Sequence, residues 1–409
     1  MEKGFSDKNL SSGRRFKLTE QIREVETGAR AHYFIHEEPS QEQIFYYCSP
    51  AISDDGRYIP CCSNVSGAWQ IHVIDRREKV SIQLSNIEGG VPVGDPHCYL
   101  PEKNQIFFID RRSAYAANIE DASVLRLFEA PEDHRITSLS ARGNYLAFSY
   151  CERVARGRLP EGRHFSGYPA LSHRPRSIIV AIDLRTGDAA EVWGDYSCLC
   201  HVELSPVDDD LVMFCDQSWE RRQQEVYLVR RSFCEDKRAW PVLAAPGGDY
   251  RGRTLDYIGH SFFTRDGQVA AQYCEYGNLD AKMNFTDTAM FNLVIDPDGY
   301  HKRKAKFPGS GKPTHVHCQT AGGLWVGDGW ARPDGRLDNG WISLIRNNFE
   351  TQETENWPLL PTNHTWDRPF HPHPWISPNE DFVVLAHNTG KSDNHMVLVE
   401  LPERFRTGE

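Results

Sequence analysis

The sequence lacks any apolar run long enough to cross a bilayer. A membrane-spanning helix needs about 20 consecutive apolar residues, and no segment of this 409-residue chain approaches that length. The opening residues, MEKGFSDKNLSSGRRF, also lack the apolar core of a secretory signal peptide. These absences predict a chain with no membrane contact and a cytoplasmic location.

The chain also lacks an excess of basic residues. Its formal net charge is −11, so a broad basic face for nucleic acid is not expected. A small anion held in a local pocket is compatible with this charge. The 11 cysteines have irregular spacing, which in a cytoplasmic protein favours reduced thiols buried in apolar strands. A metal pair at Cys198 and Cys200 is the less favoured alternative.

Helical periodicity is scarce and is confined to the two ends of the chain. Elsewhere, short apolar strands alternate with turns rich in Gly, Asp and Asn, as in the segment IIVAIDLRTGDAAEVW at 178–193. Such segments are typical of antiparallel hairpins. The sequence therefore predicts an all-β fold.

One arrangement recurs along the chain: a histidine opens a short apolar strand that runs to a turn. It is found at His97, His201, His260, His315 and His373. The last four lie 55 to 59 residues apart, and the first interval spans two such distances, because the unit that begins near Arg135 has no such histidine. With an earlier unit that begins near Phe45, the count of units is seven.

Seven units of four strands predict a seven-bladed β-propeller, in which radial repetition leaves few exposed edges around a central channel. We expect the propeller to span residues 41–405. Residues 1–40 are expected to form an N-terminal segment that supplies the closing strand of the last blade. A separate docking arm is the alternative for this segment.

The recurring histidines are candidates for a site in the channel. A single histidine in a strand is more often a hydrogen-bonded structural residue, but the first strand of each propeller blade lines the channel, so five equivalent imidazoles would face one another. His371 and His373 lie two residues apart and therefore on one face of a strand, and Pro372 stiffens the backbone between them. With a third histidine from another blade, such a pair forms a credible site for a divalent cation.

Four segments carry a resemblance to a known family. They are YIGHSFFTRDG at 257–267, LCHVELSPVDDDLVMFC at 199–215, HVHCQTAGGLWVGDG at 315–329 and HPHPWISPN at 371–379. Together they resemble the corresponding stretches of oligogalacturonate lyases, over most of the chain from about residue 45 onward. The resemblance implies a seven-bladed propeller that cleaves short uronate oligomers by β-elimination with Mn²⁺ in its channel. Ca²⁺ and Zn²⁺ are left open as alternative metals.

The resemblance also implies roles for particular residues. His260, His371 and His373 correspond to the metal ligands of the family, and His201 to the general base. An arginine from the preceding blade assists the base, and Arg176 is the candidate for it.

Three positions depart from the family pattern. Arg368 stands where the family has a metal-binding glutamine, and a guanidinium cannot bind a cation. Either water completes the metal sphere or Arg368 pairs with a substrate carboxylate. Gln43 and Phe45 stand where the family tends to carry other polar or basic contacts.

The chemistry of elimination is consistent with this inventory. The proton next to a uronate carboxylate is very weakly acidic, so its removal requires a metal or an arginine to stabilise the charge that develops. A neutral imidazole suits the base because its ordinary pKa of about 6.5 lies near the operating pH. The remaining substrate contacts are expected from Arg368 and from His97, His315, His317, Tyr257 and Trp330.

The sequence thus predicts a metal-dependent lyase that acts on a small acidic oligosaccharide. Two alternatives stay open. One is a related propeller lyase for another glucuronate or iduronate linkage, and the other is a noncatalytic propeller that binds a sugar or a protein.

Overall fold

The computed structural model describes residues 10–46, 49–93, 97–153, 175–216, 226–232, 239–241, 257–275, 289–299, 301–306, 315–318, 323–328, 340–362, 371–388 and 394–405. Within these ranges the chain forms strands and two short 3-10 turns, Pro101–Lys103 and Glu403–Phe405. No helix in these ranges is long and apolar enough to cross a membrane.

The strands in the amino-terminal half are β1 (Arg15–Glu24), β2 (Arg30–His36), β3 (Glu42–Ile44), β4 (Tyr58–Ser63), β5 (Gln70–Asp75), β6 (Val80–Gln83), β7 (Cys98–Leu100), β8 (Gln105–Asp110), β9 (Ser113–Asn118), β10 (Val124–Glu129), β11 (His134–Arg142), β12 (Tyr145–Glu152), β13 (Arg176–Asp183) and β14 (Ala189–Tyr196).

Those in the carboxy-terminal half are β15 (Leu199–Leu204), β16 (Leu211–Asp216), β17 (Val226–Arg230), β18 (Trp240–Pro241), β19 (Tyr257–Phe263), β20 (Val269–Glu275), β21 (Ala289–Ile295), β22 (Lys302–Lys306), β23 (His315–Cys318), β24 (Leu324–Asp328), β25 (Trp341–Asn348), β26 (Glu353–Pro361), β27 (Trp375–Ile376), β28 (Phe382–Asn388) and β29 (Asn394–Glu400).

The described strands fall into four-stranded arrays of consecutive neighbours. Six of them are β3–β6, β7–β10, β11–β14, β15–β18, β19–β22 and β23–β26, and the seventh consists of β27, β28, β29 and β2. They belong to five hydrogen-bonded sheets of nine, four, four, four and eight strands, and the predicted count of seven blades stays a prediction. The antiparallel order within an array follows from short turns, which join neighbouring strands more readily than long crossovers do.

The helical periodicity at the amino terminus does not produce a helix in the described residues. Strand β1 pairs with β2 along its length, from Leu18 opposite His36 to Glu24 opposite Arg30. It also pairs with β6, where Arg15 lies opposite Ile82. The ladder hydrogen bonds available on both sides outweigh the weak local preference for a helix.

The chain divides into two compact units, which are described separately. The first comprises residues 1–110, 115–126 and 304–409, and the second residues 111–114 and 127–303. The core of the first unit includes the fully buried Leu344, Val383 and Leu385. In the second unit, Met213, Leu228 and Val269 form an equivalent core. Each such side chain contributes about 1.5–3 kcal/mol when buried.

The first unit is closed by a strand from the amino-terminal segment. Strand β2 pairs with β29, with Ala31 opposite Val399. Beside this junction the fully buried Glu42 accepts hydrogen bonds from Nδ1 of His36 at 2.9 Å and of His395 at 3.2 Å. Burial alone would raise the pKa of Glu42, but the hydrogen bonds from the two histidines outweigh it and lower the pKa to about 2. Glu42 is therefore an anion held by the strands that surround it.

The first turn of several arrays is closed by a hydroxyl side chain at an equivalent place. The backbone amides of Asp208, Gln268 and Phe382 donate to hydroxyl oxygens at 3.2, 3.0 and 3.0 Å, and the acceptors are Ser205, Thr264 and Ser377. These turns follow β15, β19 and β27. They fix the register of the repeat, because the residue four positions before each hydroxyl is a histidine: His201, His260 and His373.

Buried neutral histidines predict a loss of stability in mild acid. Burial lowers the pKa of His72, on β5, to about 3, so below pH about 6.5 the unfolded chain takes up a proton that the folded state does not. The free energy of unfolding should therefore fall as the pH decreases from 6.5 towards 3, by about 1.4 kcal/mol per pH unit for this one group.

Urea unfolding between pH 5 and 7 measures this slope. His72→Asn should reduce this slope by the contribution of one proton, about 1.4 kcal/mol per pH unit. Exchange of the exposed His301 for Asn is the matched control. Equal slopes in the wild-type protein and the His72→Asn variant would contradict the assignment.

Candidate active site

Three of the recurring histidines have a left-handed backbone. Their φ angles are 50° at His201, 49° at His260 and 40° at His373. For a residue other than glycine this conformation costs about 1–2 kcal/mol, and such strain collects at functional sites. The three residues also occupy equivalent positions in the repeat, so their conformation belongs to the repeated unit and is not specific to one strand.

In the second unit the left-handed histidines lie within β-bulges. The register between β15 and β16 shifts between Cys200 and Glu203, and that between β19 and β20 shifts between Gly259 and Phe262. A bulge bends its strand and redirects the side chain at that point. His201 and His260 were predicted to open their strands, but they lie inside them, at the bulge.

The imidazole of His260 is oriented by a buried amide. Its Nδ1 donates to Oε1 of Gln272, on β20, at 2.8 Å. A proton on Nδ1 makes Nε2 the nitrogen that carries the lone pair, and a histidine that binds a metal through Nε2 needs this tautomer. The donor chemistry of His260 therefore fits the metal role predicted for it.

Side chains of neighbouring first strands hold the bulged segments in place. The backbone amides of Val202 and Leu204 donate to the hydroxyls of Ser138 and Ser140, on β11, at 3.1 and 3.2 Å. In the same way, the amide of Phe263 donates to Oε1 of Glu203 at 3.2 Å. These bonds satisfy amides next to the bulges.

The carboxyl group of Glu203 is itself perturbed. Burial raises its pKa to about 8, since the charged form would lose its water without a compensating ion pair. A neutral carboxyl group thus links β15 to β19 at neutral pH.

In the first unit, His371 and His373 form a parallel pair. Their ring centroids lie 5.5 Å apart and their planes differ by 10°. The edge of the Tyr46 ring meets His373 at 5.0 Å with an interplanar angle of 80°. The backbone is held by Ala386, whose amide donates to the carbonyl of Pro372 at 3.1 Å. The predicted alignment of the two imidazoles on one side of the chain is present.

His97 differs from the other recurring histidines. Its Nε2 donates to the carbonyl of Pro92 at 3.1 Å, and its Nδ1 accepts the amide of Ile109 at 3.3 Å. The side chain is only 2% exposed and packs against Phe45. Burial lowers its pKa to about 4. With both ring nitrogens bonded to the backbone, His97 has the environment of a structural residue, and we do not include it in the proposed site.

His315 and His317 lie on a regular strand. They stand opposite Asp328 and Val326 in an unbroken antiparallel ladder. Tyr257 opens β19 opposite Cys274. Trp330 and Arg368 lie outside the described residues, and the roles predicted for these five residues stay predictions.

The arginine next to the base has two candidates. Arg176 is exposed at the start of β13, the third strand of its array, where its amide donates to Glu152. Strand β11 is the one whose side chains bond β15, and it carries Arg135 opposite Cys151. The charge of Arg135 also acts on the thiol of Cys198, three residues before His201. Sequence spacing did not point to Arg135, because it identifies the array but not the strand whose side chains bond β15.

The thiols of Cys151 and Cys198, near His201, are joined by a hydrogen bond. A hydrogen bond with Cys198 lowers the pKa of the buried Cys151 to about 7. Within the part of the chain that the structure describes, no three His, Cys, Asp or Glu side chains gather in a group that could hold a metal. Of the predicted ligands, His260 belongs to the second unit and the pair His371 and His373 to the first, and their joint site stays a prediction.

Comparisons with known proteins agree with the resemblance found in the motifs. No protein-family model matches the chain. The oligogalacturonate lyase of Dickeya dadantii is 20% identical over 365 residues, which cover 83% of this chain and 86% of that protein. The oligogalacturonide lyase of Pectobacterium atrosepticum is 21% identical over 364 residues, with the same two shares.

Solved structures extend the comparison to the fold. An oligogalacturonate lyase in complex with manganese has a TM-score of 0.74 and 17% identity, and one from Vibrio parahaemolyticus has 0.75 and 16%. Each match covers 97% of this chain and 100% of the other. The chain is an all-β protein of the β-propeller class. It is a distant homologue of the oligogalacturonate lyases, which are carbon–oxygen lyases, so the predicted resemblance is confirmed.

The left-handed histidines predict an unusual response to glycine. Glycine adopts positive φ without steric cost, so in His201→Gly the relief of about 1–2 kcal/mol of backbone strain should offset the lost side-chain contacts. His315→Gly removes the same side chain from a regular strand, where glycine costs about 0.5–1 kcal/mol. We expect urea unfolding to find His201→Gly the more stable variant of the two. The reverse order would mean that the backbone at His201 is not strained.

Proposed function

We propose that this protein is a metal-dependent lyase that cleaves small uronate-containing oligosaccharides by β-elimination. The observation that carries the proposal is the left-handed conformation shared by His201, His260 and His373, to which the sequence resemblance assigns the roles of base and metal ligands. The homology over 83% of the chain supports it, as does the manganese in a structural relative.

His201 is proposed to act as the general base. The neutral imidazole takes the proton from the sugar carbon next to the carboxylate, and the electron pair of that bond forms the new carbon–carbon double bond. The glycosidic carbon–oxygen bond breaks, and the leaving oxygen gains a proton from solvent. The bulge at Cys200–Glu203 and the amide bonds to β11 hold the backbone of this residue.

His260, His371 and His373 are proposed to hold a divalent cation, Mn²⁺ by analogy with the relative. When bound, the cation would supply positive charge for the carboxylate of the substrate. Two features support these ligands. Gln272 sets the tautomer of His260, and the rings of His371 and His373 lie side by side with parallel planes.

The remaining contacts are proposed from the sequence. Arg368 is the candidate partner for the substrate carboxylate, and His315, His317, Tyr257 and Trp330 are candidates for the sugar. Arg176 and Arg135 compete for the role beside the base. Alanine variants of each should separate the two, since the arginine that stabilises the transition state lowers kcat by roughly 100-fold or more.

The proposed activity can be tested directly. Elimination creates a conjugated uronate that absorbs at about 235 nm, so the protein is incubated with Mn²⁺ and a panel of galacturonate, glucuronate and iduronate oligomers. A rise with galacturonate oligomers supports the proposal. A rise with another uronate only assigns the chain to a related linkage. No rise with any member would favour the noncatalytic sugar- or protein-binding propeller.

Two histidine variants should separate base chemistry from metal binding. His201→Ala should lose turnover by roughly 100-fold or more and retain Mn²⁺ affinity, because a base is not a ligand. His371→Ala should lose both. Steady-state kinetics and titration calorimetry measure the two properties, with exposed His301→Ala as the control. Near-normal turnover in His201→Ala would move the base to another residue.

A further inference from the structure

The segment that carries His371 and His373 lies outside the strands. Residues 371–374 precede β27 without strand hydrogen bonding of their own. Their position therefore depends on individual contacts with neighbouring elements. One is the bond from Ala386 to the carbonyl of Pro372. A second comes from β3, at the other end of the chain.

Gln43 supplies this second contact. Its side chain is 2% exposed, and its Nε2 donates to the carbonyl of His371 at 2.7 Å and to that of Ile44 at 3.2 Å. Its Oε1 accepts the amide group of Asn394 at 3.4 Å. All three contacts are consistent with one orientation of the amide group. The bonds to Ile44 and Asn394 therefore hold the Gln43 side chain in the orientation that it needs for its bond to His371.

The strand beneath Gln43 is anchored as well. Gln43 pairs with Cys62 on β4, and the preceding residue is the buried anion Glu42, held by His36 and His395. Three residues further along, Tyr46 packs its ring edge on His373. One short strand segment thus contacts the backbone of the first histidine of the pair and the ring of the second.

We propose that Gln43 is a positioning residue that presents His371 and His373 to the divalent cation. The inference rests on the proposed function, since it assumes that this pair binds metal. A hydrogen bond of the observed length on the carbonyl of His371 restrains the peptide that joins it to Pro372 and so the direction of both rings. Contacts of this kind, one step removed from the metal, typically change metal affinity by 10- to 100-fold.

The test compares two buried glutamines of the same chemistry. Gln43→Met keeps the size of the side chain but removes its donor. Gln70 is the matched control because it is 3% exposed and its Nε2 donates to a carbonyl, that of Ile87, at 2.8 Å. Gln43→Asn is the second variant, in which the amide remains but is one methylene too short to reach His371.

Calorimetric titration with Mn²⁺ should show affinity at least about 10-fold weaker in Gln43→Met and Gln43→Asn, with wild-type affinity in Gln70→Met. Urea unfolding should show similar losses of stability in Gln43→Met and Gln70→Met, because each side chain makes three buried hydrogen bonds that methionine cannot make. Equal Mn²⁺ affinity in the wild-type protein and both Gln43 variants would overturn the inference.

The same measurements separate this inference from the proposed function. Weaker Mn²⁺ binding in the Gln43 variants of a protein that forms no unsaturated uronate would uphold the inference and reject the lyase. An active lyase whose Mn²⁺ affinity is unchanged in the Gln43 variants would uphold the proposed function and reject the inference. A wild-type protein that binds no Mn²⁺ would overturn both the inference and the metal part of the proposed function.

Discussion

The structure depends on holding three histidines in a backbone conformation that their own chemistry disfavours. At His201, His260 and His373 the left-handed φ must be stabilised by something outside the residue. Around His201 and His260, strand ladders resume on either side of each bulge, and Ser138 and Glu203 receive amides next to it. The apolar cores of the arrays supply the free energy that offsets this strain.

Buried polar contacts do the positioning that apolar packing cannot do. Apolar contacts are not directional, whereas the bonds from Gln272 to His260 and from Gln43 to His371 fix a ring tautomer and a peptide orientation. Glu42 serves the same end, because its two histidine partners come from β2 and β29 and join the beginning of the chain to its end. Sites built this way tolerate a large drift in sequence, which is consistent with 20% identity to a homologue over most of the chain.

Local patterns in the sequence predicted the fold well because the same strand and turn pattern recurs in each unit of the repeat. The hairpin signals and the spacing of the histidines indicated the repeat, and the motifs pointed to the oligogalacturonate lyases, to which the chain is distantly homologous. The parallel pair at His371 and His373 was expected from strand spacing, but residues 371–374 lie outside the strands and His373 has a left-handed φ, so the observed pair depends on its tertiary contacts.

Tertiary contacts decided the environments of the individual side chains at the candidate site. The sequence by itself determined an all-β repeat protein with histidines at equivalent positions, because strand period and turn chemistry are short-range properties. It could not separate His97, whose ring nitrogens bond to the distant backbone, from His201, which sits in a bulge. It singled out Gln43 only as a departure from the family pattern, and could not show the contact with His371, which forms because the chain ends come together across β2 and β29. The environment of a side chain is set by residues far away in sequence, and only the folded chain brings them into contact.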